Sequence, residues 1–205
     1  MSKTRLLYIH GLGGTKNGST SENLRKICNE YNINFYSFDV PFNPYEALET
    51  IKTFIKENNI NLLMASSLGA FYTLVSSLML DKDINVIVIN PAFNAPKDIL
   101  DNFGKGKKEY RGIREDGNQY YDLNDEYYES LNEIYNSFQK YLSAEKERTS
   151  NWVGYFSDND EYFSHKEDFS KYSKNIIDIK DKHHIGYDNL KMIIEDYIKR
   201  SNWKR

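Results

Sequence analysis

Six short apolar segments, separated by stretches with helical periodicity, constrain the fold of this chain more than any other feature of its sequence. They are mostly continuous apolar runs, which is typical of strands covered by helices on both faces. Strands are predicted at Leu6–Ile9, Ile33–Phe38, Ile60–Ala65, Ile84–Ile89, Trp152–Phe156 and Ile176–Ile179. Helices are predicted at Ser21–Tyr31, Pro44–Asn58, Leu68–Leu80 and Leu190–Ile198. Repeated strand–helix units predict an α/β three-layer sandwich with a mostly parallel six-stranded sheet.

The length and charge of the chain narrow the classes of protein to which it can belong. Its 205 residues suggest one domain, and 27 basic against 30 acidic residues argue against a mainly electrostatic nucleic-acid binder. No apolar run approaches the roughly 18 residues of a membrane span, and Leu6–Ile9 is too short for a signal peptide. The single cysteine, Cys28, excludes an internal disulfide framework and is expected to be structural. We therefore expect a cytoplasmic single-domain protein over residues 1–205, without nucleic-acid or membrane partners.

One long segment interrupts the alternation of strands and helices. Between Asn90-Pro91 and Trp152 lie about sixty residues, charged and rich in Tyr, that contain no strand-like run. The second half of this segment has apolar residues at helical spacing, whereas Lys105–Asp116 is predicted to be an exposed loop. An unstructured loop of such length is uncommon in a compact domain, so residues 97–150 are predicted to form a helical insertion.

The sharpest chemical signal is Ala65-Ser66-Ser67-Leu68-Gly69, between a hydrophobic strand and a hydrophobic helix. A nucleophilic serine at such a turn needs small residues two positions before and after it, because strand and helix pass closely there. Ala65 and Gly69 satisfy this requirement around Ser67. The helix N-terminus would then direct the backbone N–H of Leu68 at a developing oxyanion. The alternative is that small residues merely begin a helix after a strand.

A glycine-rich loop, His10-Gly11-Leu12-Gly13-Gly14, follows the first predicted strand. In a serine hydrolase of this layout the loop supplies a second oxyanion donor, here the backbone N–H of Leu12. Nucleotide binding is the alternative, but a dinucleotide fingerprint would require Gly where Lys16 stands. A phosphate-binding loop over Gly13–Thr20 would lack the Lys that reaches the phosphates. Nucleotide binding is therefore disfavoured.

Acidic residues and histidines follow the last two predicted strands, in the segments Ser157–Glu161 and Lys180–His184. Serine, then acid, then histidine, each just past a strand, is the chain order of α/β-hydrolases. The residues alone leave open whether Asp158 or Asp160 is the acid, and whether His183 or His184 is the base. A solvated acidic turn and a surface histidine pair are the alternative interpretations. The spacing matches neither a zinc site nor an EF-hand.

Together these motifs resemble the YqiA-like esterases, compact members of the α/β-hydrolase superfamily. The resemblance is carried by His10-Gly11-Leu12, the serine segment from Ala65 to Tyr72, Asn90-Pro91-Ala92, Asp160-Glu161 and His183. Ala65 departs from the Gly that the family usually has at the first position of the serine turn. The resemblance implies a compact α/β-hydrolase fold and hydrolysis of carboxylic esters, with no cofactor or metal.

The resemblance also selects among the residues that the sequence leaves open. It aligns Asp160-Glu161 with the family's Asp-Glu pair, although Asp158 is nearer to the predicted strand end. Ile185 matches the apolar residue two positions after the family's histidine, which selects His183. In the expected site, Ser67 is the nucleophile, His183 is the base and Asp160 is the acid that orients it. The backbone N–H groups of Leu12 and Leu68 stabilise the oxyanion.

The expected substrate is a small-molecule acyl ester, hydrolysed through an acyl-enzyme intermediate. A thioesterase or another acyl hydrolase would use the same residues, and a non-catalytic binding protein with this fold is a further alternative. The insertion follows the fourth strand, whose end lies on the same sheet edge as Ser67, so Lys97–Ser150 is expected to cap the acyl pocket and favour short acyl chains. Its tyrosines suit a pocket wall that also meets water. In the alternative, they pack only among the insertion's own helices.

Overall fold

A computed structural model describes the chain from residue 3 to residue 203. The strands are β1 (Arg5–Ile9), β2 (Asn34–Ser37), β3 (Leu62–Ser66), β4 (Asn85–Ile89), β5 (Gly106–Glu109), β6 (Tyr120–Leu123), β7 (Trp152–Asn159) and β8 (Ile176–Lys182). The helices are α1 (Ser19–Glu30), α2 (Pro44–Glu57), α3 (Ser67–Met79), α4 (Ala95–Phe103), α5 (Asp125–Ala144), α6 (Lys166–Ser170) and α7 (Tyr187–Trp203). A short 3₁₀ helix, Lys146–Asn151, precedes β7.

Six strands form one sheet in the order β2-β1-β3-β4-β7-β8. All neighbouring strands in it are parallel, with Ile9 opposite Ala65 and Ser66 opposite Ile89. The predicted α/β sandwich with a parallel six-stranded sheet is therefore confirmed, and the six predicted strands are the six of this sheet. The strand order changes direction between β1 and β3, where the loops after the strands diverge and leave a crevice.

Alternating side chains of each strand explain why helices cover both faces of the sheet. In β1, Leu6 and Tyr8 face one side and pack in a buried cluster with residues of α1 and α7. Leu7 and Ile9 face the other side and pack with residues of α2, α3 and α5. Strands buried on both faces carry apolar side chains at successive positions, which is why they stand out in the sequence. Cys28 is a free, buried thiol in the α1 layer.

Helices α2 and α3 illustrate two different reasons for helix formation. Asn43 caps α2, because its side-chain oxygen accepts hydrogen bonds from the backbone N–H groups of Tyr45 at 2.9 Å and Glu46 at 3.2 Å. Pro44 follows the cap in the first turn, where its missing N–H costs nothing. Helix α3 instead is buried from Ser67 through Leu78, so its stability comes from packing in the core.

The insertion at residues 97–150 contains a β-hairpin as well as helices. Strands β5 and β6 pair in antiparallel register, with Gly106 opposite Leu123. The predicted exposed loop over Lys105–Asp116 is therefore wrong for β5, whose sequence Gly-Lys-Lys-Glu has no apolar residue that would predict a strand. Pairing with β6 forms the strand. Within residues 3–203, no helix combines the length and the apolar character needed to cross a bilayer.

Candidate active site

The loops after strands β1, β3, β4, β7 and β8 meet at one edge of the sheet. They carry, in that order, His10, Ser67, Asn90, Asp160 and His183. Because these strands are parallel, their carboxyl ends lie on the same side of the molecule. A cavity of about 360 Å³ opens at this edge, and Ser67 and His183 both line it. The fold thus brings together residues that are far apart in the chain.

Ser67 occupies a strained turn between β3 and α3. Its backbone φ is +55°, in the left-handed region that residues with a side chain seldom adopt. A Cβ on Gly69 would lie 2.4 Å from the carbonyl oxygen of His10, and a Cβ on Gly11 would lie 2.9 Å from the Cβ of Ser67. Glycine at both positions allows α3 and the loop after β1 to come into direct contact around the serine.

The His183 ring is held by one carboxylate and two aromatic rings. Its Nδ1 lies 2.9 and 3.0 Å from the carboxylate oxygens of Asp160, and both side chains are only 4% exposed. Because a carboxylate accepts hydrogen bonds, Nδ1 carries the proton and Nε2 of the neutral ring keeps its lone pair. The rings of Tyr162 and Phe163 stand nearly perpendicular to His183, with centroids 4.9 Å away. These contacts fix both the tautomer and the orientation of the imidazole.

The residues Asp160 and Glu161 hold both the side chain and the backbone of His183. Oδ1 of Asp160 also accepts hydrogen bonds from the backbone N–H groups of Tyr162 at 2.8 Å and Phe163 at 3.1 Å. Oε2 of Glu161 accepts the backbone N–H of His183 at 3.1 Å. This hydrogen bond lowers the pKa of Glu161. Both carboxylates of the Asp-Glu pair that carries the family resemblance therefore contact His183: Asp160 bonds its ring, and Glu161 bonds its backbone.

Asp158 and His184, the alternative site residues, make other contacts. Asp158 is exposed, and its Oδ1 accepts the backbone N–H of Asp181 at 3.2 Å. His184 lines the cavity that Ser67 lines, but its Nε2 lies 3.0 Å from Nη1 of Arg111. Of the two candidate acids, Asp160 is the one hydrogen-bonded to His183. The catalytic roles of these residues stay predictions.

Asn90 joins three strand ends, a role that the sequence does not reveal beyond its place in the Asn-Pro-Ala motif. Its side-chain N–H group donates to Oγ of Ser157 at 2.8 Å and to the backbone carbonyl oxygen of His183 at 3.0 Å. Its Oδ1 accepts the backbone N–H of Ser157 at 2.8 Å. These hydrogen bonds fix the end of β7 and the loop after β8 relative to β4. They thereby set the positions of Asp160 and His183.

His10 stabilises the glycine-rich loop after β1. Its Nε2 accepts a hydrogen bond from the backbone N–H of Val40 at 3.1 Å, so the ring proton lies on Nδ1. Nδ1 donates to the carbonyl oxygen of Gly11 at 2.9 Å. Burial lowers the pKa of His10 to about 4, because the charged ring would lose its hydration. At neutral pH the uncharged ring therefore links two loops beside the cavity.

The two predicted oxyanion donors belong to the two segments that meet at Ser67, namely α3 and the loop after β1. Leu68 is in the first turn of α3, where backbone N–H groups have no partner within the helix. Leu12 lines the main cavity, and both leucines line a second cavity of about 20 Å³. The insertion holds the loop that carries Leu12, because Nη2 of Arg111 donates to the Leu12 carbonyl oxygen at 2.7 Å. The backbone N–H of Arg111 donates to the carbonyl oxygen of Gly13 at 2.8 Å.

A second histidine–aspartate pair connects α4 with the loop after β7. Nε2 of His165 lies 2.8 Å from the carboxylate oxygens of Asp98, which also accepts the backbone N–H of Asn94 at 3.0 Å. Burial opposes protonation of His165, but the carboxylates of Asp98 and Asp168 outweigh it and raise its pKa.

In the described part of the chain, neither these nor other His, Cys, Asp or Glu residues form a group of three or more that could hold a metal ion.

The parallel sheet with its strained serine turn and the histidine–aspartate pair define an α/β-hydrolase fold. The chain belongs to the YqiA-like family, described as Uncharacterised protein family (UPF0227), whose sequence model matches residues 5–199. The resemblance seen in the sequence is thus confirmed. No curated protein matches the chain significantly.

Solved structures with this fold match nearly the whole chain. Est1E from Butyrivibrio proteoclasticus has a TM-score of 0.70 and 13% identity, over 97% of this chain and 88% of that chain. The esterase domain of a Rhodothermus marinus protein has a TM-score of 0.66 and 12% identity, over 97% and 88%. A structure from work on the metagenome-derived lipolytic enzymes LipS and LipT has a TM-score of 0.67 and 12% identity, over 100% and 95%. At these identities the likeness shows the fold.

We expect His10 to remain neutral, as the Nδ1–H tautomer, from about pH 8 down to about pH 5 in the folded protein. Its folded pKa of about 4 lies below the unfolded value of about 6.5, so its contribution to stability is fully present above about pH 6.5. That contribution is lost as the pH falls toward the folded pKa. Long-range ¹H–¹⁵N NMR correlations across this pH range measure the titration, and a His10 midpoint near pH 6.5 would contradict the expectation.

Proposed function

We propose that this protein is a serine hydrolase that cleaves carboxylic esters with small acyl groups. The observation that carries the proposal is that Ser67, at its left-handed turn, and His183, hydrogen-bonded to Asp160, line the same cavity. A nucleophile, a base and an acid that orients the base are the groups that acyl transfer requires. The esterase and lipolytic structures with the same fold support hydrolase activity.

In the proposed reaction, Oγ of Ser67 attacks the acyl carbonyl carbon while Nε2 of His183 accepts the hydroxyl proton. The tetrahedral intermediate collapses, His183 donates this proton to the leaving alcohol, and the acyl group stays on Ser67 as an ester. A water molecule, deprotonated by His183, then attacks the acyl carbon and releases the carboxylic acid. Asp160 stays ionised and stabilises the imidazolium that forms in each half of the reaction.

The negative charge on the tetrahedral intermediate needs hydrogen-bond donors beside Ser67. We assign this role to the backbone N–H groups of Leu68, at the N-terminus of α3, and Leu12, in the loop after β1. Each donor of this kind typically contributes about 10²–10³-fold to kcat, because it stabilises charge that exists only in the transition state. The contacts of His10 with Gly11 and of Arg111 with Leu12 keep this loop in place before substrate arrives.

Replacing the serine is the direct test of the mechanism. We expect Ser67→Ala to reduce ester hydrolysis by at least about 10⁴-fold and to abolish labelling by a fluorophosphonate probe, because the nucleophile is lost. Ser66→Ala is the matched control, since the Ser66 hydroxyl bonds Tyr8 at 2.8 Å, and it should keep the labelling. Labelling that survives Ser67→Ala and disappears in Ser66→Ala would refute the assignment. A wild-type protein that does not label at all would favour the non-catalytic binding protein.

Two matched pairs of variants test the base and the acid. We expect His183→Ala to lower kcat by at least about 10³-fold and Asp160→Asn by about 10²–10⁴-fold, because the base is lost or its tautomer is no longer fixed. His184→Ala and Asp158→Asn should each change kcat by less than about tenfold. Thermal unfolding of each variant shows whether it remains folded, since Asp160 and His183 are buried. Selective loss in His184→Ala or Asp158→Asn would reverse the assignments.

The insertion supplies part of the wall of both cavities. Phe103, at the end of α4, lines the main cavity together with Arg111, and Tyr110 and Tyr127 line the smaller one behind Leu12. In this proposal the insertion caps the acyl pocket, and its aromatic side chains limit the space available to the acyl chain. The tyrosines also pack within the fold, as Tyr127 does by stacking on Phe42 with a centroid distance of 4.6 Å.

A narrow acyl pocket has a measurable consequence for substrate length. We expect kcat/KM for p-nitrophenyl esters to be highest from acetyl to butyryl and to fall for longer chains, because the cavity of about 360 Å³ also has to hold the alcohol. Phe103→Ala should shift the preference toward longer acyl chains. Rates across a series of chain lengths measure this, and a preference for the dodecanoyl ester would contradict the cap.

A further inference from the structure

The wall of the cavity beside Ser67 carries a cation and no carboxylate, although the chain as a whole has a net charge of −3. Among the described residues, no Asp or Glu lines this cavity, and Arg111 is the one lining side chain with a permanent charge. Many of the other lining residues carry a hydroxyl group, among them Tyr8, Thr15, Ser19, Thr20, Ser21 and Ser66. A recess with a cation, many hydrogen-bonding groups and no carboxylate is suited to a negatively charged ligand.

Arg111 keeps its charge available to the cavity. Its guanidinium donates to the carbonyl oxygen of Leu12 at 2.7 Å and to Nε2 of His184 at 3.0 Å, and both of these acceptors are uncharged. Burial, followed by the charge of Arg111, lowers the pKa of His184, which keeps that ring neutral. Arg114, three residues along, instead pairs with the carboxylate of Asp116, with Nε at 3.0 and 3.1 Å. A guanidinium has further N–H donors beyond the two that these contacts use.

We propose that Arg111 binds an anionic group, a carboxylate or a phosphate, on the substrate that Ser67 attacks. This inference rests on the proposed hydrolase function and narrows its substrate class to esters with a negatively charged oxygen group near the scissile bond. Arg111 is then a residue that determines specificity: its two protein contacts fix the guanidinium plane, and its remaining donors face the ligand. The first turn of α1 forms the wall from Ser19 to Ser21, and its dipole favours the same charge, while the Glu22 carboxylate of that turn is exposed and does not line the cavity.

A purely structural role for Arg111 makes a different prediction. If the guanidinium served only to hold the Leu12 loop, its removal would weaken the oxyanion hole equally for neutral and charged esters. Arg111→Gln retains an amide donor for the Leu12 carbonyl but removes the charge. Lys107→Gln is the matched control, because it removes one positive charge from the same insertion. Lys107 is exposed, lies over the Tyr120 ring at 4.2 Å and does not line the cavity.

Binding to a catalytically silent protein tests the anion site without any turnover. In a Ser67→Ala background at low ionic strength, inorganic phosphate and monomethyl succinate are titrated separately and followed by NMR chemical shifts. We expect at least one of them to bind saturably, Arg111→Gln to weaken that binding more than fivefold, and Lys107→Gln to change it less than twofold. The probe that binds identifies the anion as phosphate or carboxylate. Absence of saturable binding by both probes, or a change below fivefold in Arg111→Gln, would overturn the proposal.

Kinetics with charged and neutral ester pairs tests the same site during the reaction. One pair places the charge in the acyl group, as mono-p-nitrophenyl adipate against p-nitrophenyl hexanoate. The other places it in the leaving group, as the butyrate ester of 5-hydroxy-2-nitrobenzoate against p-nitrophenyl butyrate. We expect wild type to prefer the charged member of at least one pair in kcat/KM, and Arg111→Gln to reduce that ratio about tenfold. Equal loss on both members of each pair would show a structural role only.

The two proposals fail in distinguishable ways. If wild type cleaves no ester and does not label with a fluorophosphonate, but binds an anion in an Arg111-dependent manner, the hydrolase proposal fails and the anion site stands. If wild type cleaves esters without any preference that depends on Arg111, and Arg111→Gln leaves anion binding unchanged, the hydrolase proposal stands and the anion site fails.

Discussion

The tight turn at Ser67 is the constraint on which the rest of the site depends. A serine held in the left-handed region costs about 1–3 kcal/mol, so the surrounding structure has to determine it. β3 continues the central sheet up to Ser66, α3 is buried on all sides, and the backbone N–H of Ala92 donates to the Ser67 carbonyl oxygen at 3.2 Å. Burial of apolar surface along β3 and α3 thus stabilises a backbone conformation that places one hydroxyl at the cavity.

Contacts between segments that are distant in the chain hold much of the rest of the site. Asn90 ties the ends of β7 and β8 to β4, and Glu161 holds the backbone of His183. In the loop after β1, His10 accepts the backbone N–H of Val40, and Arg111 donates to the Leu12 carbonyl oxygen. None of these side chains belongs to the proposed triad. The reacting groups are therefore positioned by hydrogen bonds across the sheet edge, which agrees with a rigid, preorganised site.

The sequence predicts the elements whose side chains are buried. It does not predict polar elements that form only by pairing with another segment. The six strands of the main sheet are visible because both of their faces are covered, and α3 because it is apolar all round. Strand β7 shows the limit: its apolar run ends at Phe156 but the strand continues to Asn159. Distance along the chain therefore favours Asp158, whereas Asp160 is the carboxylate that bonds His183. Strand β5 of the hairpin has no apolar residue, and it forms by pairing with β6. The bonds of Asn90 and Arg111 join residues more than 65 positions apart, which no local pattern encodes.

The residue after Asn90, Pro91, affects the chemical stability of the asparagine side chain. Asparagine side chains commonly deamidate when the backbone nitrogen of the next residue attacks the amide and forms a cyclic imide. Pro91 has no backbone N–H, so this route is closed at position 90. Conversion of Asn90 to aspartate would remove the donor that bonds Ser157 and the His183 carbonyl, and would bury a negative charge among carbonyl oxygens. The Asn-Pro pair therefore protects the junction of three strands from slow deamidation.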